Sequence, residues 1–215
     1  IIGAPFYLME KVEGLILRNA LPASISLDEK TMASLSDSFV KNLVDLHAID
    51  CTQPNISTLG KPEGYVQRQV SGWIDRYRNA ETFHIPSMHF LMEYLPLSMP
   101  STIDISLIHN DYKFDNLVLN ESNPAEILAV LDWEMCTIGD PLMDLGTSLA
   151  YWFEATEMNP LVKSFANLTW LPGNKTRQEI WNYYIQLSGR NNTDSAFYFA
   201  FGCFKVATII QQIYA

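Results

Sequence analysis

The sequence predicts a helix-rich α+β fold with one small β element at its centre. Three observations carry that reading. Apolar residues recur at helical spacing on both sides of the middle of the chain, two apolar runs joined by a polar turn lie between them, and no repeat or low-complexity segment interrupts the pattern. With 215 residues, 48% of them hydrophobic and 12% aromatic, the chain can bury a substantial core.

Taken in order, residues 6–12 (FYLMEKV) read as a strand, and Gly14 leads out of it into a polar stretch containing Pro22. Leu35, Phe39, Leu43 and Leu46 fall on one helical face within 34–47, and Val66, Val70, Trp73, Ile74 and Tyr77 do the same within 63–79. Residues 87–95 suggest a further helix, and 103–108 (IDISLI) a short strand. The runs NLVL and EILAVLDW, joined across Asn120–Pro124, form a β-hairpin pattern. Pro141 suits a first helical turn, with Asp140 before it as an N-cap candidate. Thr176 and Glu179 have capping-box spacing, and Gly189 is a plausible stop for the helix that follows them. The apolar run 196–210 is short for a bilayer and carries Lys205, so it reads as a buried helix.

The formal charge of −10 argues against non-specific binding to nucleic acid or to an anionic membrane, both of which need clustered Lys and Arg. Cys51, Cys136 and Cys203 are widely spaced and form no CxxC pair, which fits reduced thiols in a cytoplasmic protein better than a disulfide framework or zinc site. The five Asn-x-Ser/Thr triplets, with no secretory signal in view, read as chance.

Chemistry concentrates in HNDYKFDNLVLN, residues 109–120. A loop Asp, an Asn five positions on, and a hairpin whose second strand runs into another Asp suit phosphoryl transfer from a metal nucleotide. The first Asp can orient a hydroxyl and accept its proton, while the Asn amide oxygen and the second carboxylate supply hard oxygen ligands to Mg²⁺. These residues are Asp111, Asn116 and Asp132. Such a reaction depends on positioning and charge neutralisation more than on covalent help, so few residues suffice. A His/Asp metallohydrolase is the weaker reading, because no second His or carboxylate stands at ligand spacing from His109.

HNDYKFDN resembles the HxDxxxxN loop of the aminoglycoside phosphotransferase and choline kinase group, relatives of the protein kinases. LDWEMCTIGDPLMDLG resembles that family's metal-binding Asp and its GDPxxDL segment. FYLMEKVEG is similar to its hinge strand, LHAID to its helix before the substrate region, and LPGNKTRQEIWNYY to its late helices. The closest likeness is to the branch that also occurs fused to acyl-CoA dehydrogenases.

The resemblance implies a protein-kinase-like fold, with 1–14 as the end of the N-lobe and hinge and 15–215 as the helical C-lobe. It implies ATP and Mg²⁺ as cofactors, Asp111 as catalytic base, Asn116 and Asp132 as metal ligands, and His109 as a brace of the loop. Lys113 stands where protein kinases carry a lysine that contacts the transferred phosphate. Backbone groups near Glu10 and Val12 would meet the adenine edge, with Met9 lining its pocket. Asp144 would hold the catalytic-loop backbone from a buried position, and His47, at a helix end, is structural. Asp115 and Glu134 are close enough to tune the site, with solvation as the ordinary alternative. The aromatic run around Tyr183, Phe197 and Phe201 reads as core, with part of it available to wall an acceptor pocket.

Only twelve residues separate Asp132 from Asp144, too few for the activation segment of a protein kinase, so a small-molecule hydroxyl acceptor is favoured. The acidic balance is compatible with an aminoglycoside-like or choline-like cation, whereas the branch resemblance implies hydroxylated acyl compounds, including CoA thioesters. The family's upstream strands, phosphate-covering loop, ATP-contacting Lys and its Glu partner have no counterpart here. The chain therefore reads as a fragment lacking most of the N-lobe, expected to be inactive by itself. The alternative is a non-catalytic, kinase-like nucleotide-binding or interaction module.

Overall fold

Asp28 opens the first helix by accepting the Thr31 amide at 2.8 Å, so α1 spans Glu29–His47 and begins several residues before its apolar stripe alone suggests. The structure, a computed structural model, describes residues 3, 9–21, 25, 27–101, 103–191 and 195–215. A short α2 (Pro54–Ser57) leads to α3 (Tyr65–Ala80) and α4 (Pro86–Leu97). Strands β1 (Ser106–Ile108), β2 (Leu117–Asn120), β3 (Asn123–Val130) and β4 (Thr137–Gly139) occupy the middle of the chain. Helices α5 (Pro141–Ala150), α6 (Pro160–Lys163), α7 (Arg177–Ser188) and α8 (Ser195–Tyr214) complete it.

The expected hairpin is β2–β3, antiparallel, with Leu117 opposite Val130 and Asn120 opposite Asn123. The second pairing, β1 with β4, joins Ser106 to Gly139 and Ile108 to Thr137. Thr137–Gly139 is too short to carry a readable alternation, so sequence periodicity gave no sign of it. Of the strand expected at 6–12, residues 6–8 lie outside the described residues, and Met9–Val12 carry no strand pairing. The chain meets β2 slightly later, where Leu15 and Leu119 exchange two backbone hydrogen bonds of 2.8 Å. Gly14 lies so close to the Leu119 carbonyl that a side chain there would collide with it.

The α7 signals hold: Thr176 and Glu179 form a reciprocal capping box, and Gly189 closes the helix at φ 65°. The run expected at 196–210 is the longer helix α8, long and apolar enough by length and composition to cross a membrane. Here it packs against α5, α3 and α4, burying Phe197, Tyr198, Phe201 and Phe204. Burying each such ring contributes about 1.5–3 kcal/mol. Contact with α5 is close because Gly146 and Gly202 leave room for opposing backbone, including the Tyr198 and Gly146 carbonyls. A second aromatic cluster, Phe39, Tyr112, Phe114 and Trp152, fastens the segment before β2 onto α1 and the end of α5.

Candidate active site

His109–Asn116 leaves β1 as a loop with a single 3-10 turn, and buried contacts fix it from below. The Tyr112 hydroxyl donates to the Phe39 carbonyl at 3.0 Å and bonds Asn42 Oδ1 at 2.9 Å, while the Phe114 ring joins the aromatic cluster. Anchoring these two apolar residues leaves the polar ones between and after them to face the site.

Asp144, fully buried on α5, holds the front of the loop. Its Oδ2 accepts the His109 amide at 2.7 Å and its Oδ1 the Asn110 amide at 2.8 Å, as the resemblance implied. His47 Nε2 lies 3.2 Å from the same carboxylate, and His47 Nδ1 lies 2.6 Å from the Tyr184 hydroxyl. Burial alone pushes the Asp144 carboxyl up, but hydrogen bonds from His47 and the His109 amide outweigh it and hold the group below the usual carboxylate range. Burial lowers the His47 pKa, with Asp144 opposing. The consistent arrangement is an anionic Asp144 and a neutral His47 that donates from Nε2 and accepts the Tyr184 hydroxyl at Nδ1. The structural reading of His47 therefore stands.

Both ring nitrogens of His109 are also spoken for. Nε2 is 2.8 Å from the Leu131 carbonyl, which can only accept, and Nδ1 receives the Asp111 amide, which can only donate, at 3.3 Å. These partners fix one neutral tautomer and leave no lone pair for base chemistry. His109 thereby ties the loop to the end of β3.

Beyond this frame, the expected polar residues converge. Lys113 Nζ sits 2.8 Å from each oxygen of the Asp111 carboxylate, and the Asn116 amide donates to Asp111 Oδ2 at 2.9 Å and to its carbonyl at 2.8 Å. With its NH₂ so engaged, Asn116 has its amide oxygen left for another partner. The Leu131 amide donates to the Asn116 carbonyl at 2.8 Å, which brings the base of the hairpin, and Asp132 with it, alongside. Asp132 is exposed in the left-handed region at φ 68°, and its carboxylate has no protein partner among the described residues. An exposed carboxylate and an available amide oxygen on adjoining backbone are the hard-oxygen donors that Mg²⁺ takes, so these residues fit that ion.

Other expected residues divide. Met9, Glu10 and Val12 are exposed, and no hydrogen bond among the described residues joins them to the loop. Asp140 caps α5, accepting the Leu142 amide at 2.8 Å and the Tyr198 hydroxyl at 3.1 Å, and burial pushes its carboxyl up to about 6. Asp115 is half-buried and its pKa is raised by burial against the pull of Lys113, whereas Glu134 is exposed. Phe197 and Phe201 are core, and Tyr183 packs against it. Sequence reasoning missed Lys205, whose ammonium donates to the Asn110 carbonyl at 2.8 Å from a nearly closed position on α8. The available signal was a lone charge in an apolar helix, since Lys is almost never fully buried unless paired.

The sequence profile of the phosphotransferase enzyme family matches residues 1–176. Over its whole length the chain is 37% identical to acyl-CoA dehydrogenase family member 10 of Mus musculus and 33% identical to family member 11 of Homo sapiens, covering 20% and 27% of them. It thus spans about a quarter of the length of these curated relatives. A solved Ralstonia eutropha protein, described as a candidate aminoglycoside phosphotransferase, superposes with a TM-score of 0.81 at 32% identity, over 95% of this chain and 62% of that one. Choline kinase from Cryptosporidium parvum shares the fold, with a TM-score of 0.55 at 13% identity over 94% of this chain and 62% of its own. The loop architecture, the mostly helical α+β fold of protein-kinase-like type and the family profile converge: the chain belongs to the phosphotransferase enzyme family.

Proposed function

We propose that this chain carries the acceptor-activating and metal-binding half of an ATP- and Mg²⁺-dependent kinase that phosphorylates a hydroxyl of a small molecule. The observation that carries the reading is the convergence of Asp111, Lys113 and Asn116, with the exposed Asp132 carboxylate, unpartnered among the described residues, at the adjoining hairpin base. Bound Mg-ATP would supply the phosphoryl group and part of the charge neutralisation. The chain's own residues do the rest. Asp111 orients the acceptor hydroxyl and takes its proton, Asn116 and Asp132 offer metal ligands, and Lys113 presents positive charge where the transferred phosphate gathers negative charge. Met9 and the backbone near Glu10 and Val12 are proposed to meet the adenine.

The extensive match to proteins named as acyl-CoA dehydrogenase family members supports a kinase working beside a dehydrogenase in the same polypeptide. It also favours a hydroxylated acyl compound, free or as a thioester, over an aminoglycoside as acceptor. The test is ATP-dependent phosphorylation by the full parent protein against hydroxyacyl-CoA, amino-alcohol and aminoglycoside panels. Asp111→Ala should lower turnover about 10²–10⁴-fold, the usual weight of a positioned general base. Unchanged turnover would remove Asp111 from the role, and absence of transfer to every acceptor would favour a non-catalytic nucleotide-binding module.

A further inference from the structure

One face of the catalytic loop carries unbalanced positive charge. A cavity of about 310 Å³ opens between α3, the Glu134–Thr137 segment and α8, and Asn110, next in sequence to Asp111, forms part of its wall. Lys61, Arg68, Arg76 and Lys205 line it, and Glu134, which is exposed, is its one acidic residue. None of the four cations is paired with a carboxylate among the described residues, in a chain whose formal charge is −10.

Lys205 gives this charge a direction. It is 4% exposed, and its ammonium has three donors but one protein acceptor among the described residues, the Asn110 carbonyl. The Trp73 ring lies 5.6 Å away, and the same ring carries the Arg76 guanidinium at 4.4 Å. Arg68 is drawn toward the carbonyls of Glu63 and Lys61, which fix the guanidinium without neutralising it. Burying a cation without a counter-ion is costly, and folds ordinarily pair it. Consistent with that cost, burial lowers the Lys205 pKa to about 8, with Asp144 and Asp111 opposing and Lys113 and Arg76 reinforcing.

We propose that this cavity binds an oxyanion, the phosphate or carboxylate of the acceptor, and so fixes which hydroxyl compounds reach Asp111. The ammonium of Lys205 and the guanidinium groups of Arg68 and Arg76 are its donors, with the Tyr65 and Trp73 rings as walls. Glu134 at the edge repels a second negative group and limits the site to a bounded anion. That the anion belongs to an acceptor rests on the kinase reading; that the cavity binds an anion does not.

The experiment therefore measures binding without nucleotide or Mg²⁺. The full chain is titrated calorimetrically at fixed ionic strength with inorganic pyrophosphate as the phosphate probe and citrate as the carboxylate probe. At least one should bind, and the stronger identifies the anion. The Arg68→Gln/Arg76→Gln double variant, altered at exposed positions that leave the core intact, should weaken that binding about tenfold or more. Lys205→Met should do the same where it folds. Asp132→Asn should leave anion binding unchanged while lowering affinity for Mg-nucleotide, which separates this cavity from the metal site. Failure of both probes to bind, or equal affinity in the double variant, overturns the proposal. Anion binding without phosphoryl transfer to any acceptor overturns the kinase reading and leaves the anion site standing.

Discussion

Asn110 and Asp132 are the two non-glycine residues among those described that adopt the left-handed conformation, both at φ 68°, and they are held in opposite ways. Asn110 is bonded on every side. Its amide donates to Asp144, its carbonyl accepts from Lys205, its side-chain oxygen accepts from Tyr65 at 3.1 Å, and its side-chain nitrogen donates to the Met135 carbonyl at 2.9 Å. Asp132 has the same backbone strain and an exposed carboxylate with no partner among the described residues. The left-handed region costs a non-glycine residue of order 1–3 kcal/mol, so each must return something for it. At Asn110 the return is rigidity, because four partners from four segments meet in one residue. At Asp132 no partner among the described residues compensates, and the conformation leaves the carboxylate exposed next to Leu131, whose amide bonds the Asn116 carbonyl.

The largest expected effect comes from removing the brace. Asp144→Ala leaves the His109 and Asn110 amides and the His47 ring without their shared acceptor in a fully buried position. Stripping one side of a buried charged network costs about 3–5 kcal/mol, and equilibrium urea unfolding would read it directly. A loss below about 1 kcal/mol would mean that the loop does not depend on Asp144.

Lys205 supplies the next effect, through pH. Its pKa is lowered by burial to about 8 in the folded chain, against 10.5 for an unperturbed lysine. Between those values the unfolded chain binds more protons than the folded one, so the lysine penalises folding below pH 8 and the penalty lifts as pH rises toward 10.5. Relative to Lys205→Met, the wild-type protein should gain on the order of 3 kcal/mol across that window. A flat difference would mean that the ammonium is better solvated than its burial indicates.

These two residues also mark where the sequence could be read and where it could not. Helices α3, α5 and α7 were legible because periodicity, Pro141, the Thr176–Glu179 box and Gly189 are local signals that tertiary structure did not override. That Asp111, Lys113 and Asn116 meet was legible because one short loop carries all three. The β1–β4 pairing and the role of Lys205 were not, since each joins segments far apart in the chain. Lys205 bonds Asn110 from ninety-five residues away, and Tyr65 reaches it from forty-five. Neither contact leaves a local trace beyond a misplaced charge or one more aromatic on a helical stripe.

Substituting glycine at each left-handed position sharpens the comparison most economically. Glycine adopts that conformation freely, so Asp132→Gly should raise stability by about 1 kcal/mol while weakening Mg-nucleotide binding. Asn110→Gly relieves the same strain but forfeits the bonds to Tyr65 and Met135, and should come out destabilised by about 1 kcal/mol or more. Thermal denaturation of both variants tests the contrast. Equal signs would show that the two residues do not differ in the way their partners imply.

The smallest effect isolates one strand of the brace. Tyr65→Phe removes only the hydroxyl that donates to Asn110 Oδ1 and keeps the buried ring. Its cost should be about 0.5–1.5 kcal/mol, the ordinary net worth of one hydrogen bond, because Asn110 keeps its bonds to Asp144, Met135 and Lys205. Combined with Asn110→Gly, it should cost less than the sum of the two single changes, since both delete the same bond. Full additivity would mean that the Tyr65 hydroxyl stabilises the loop through some other partner, and would detach α3 from the set of elements that hold Asn110 in place.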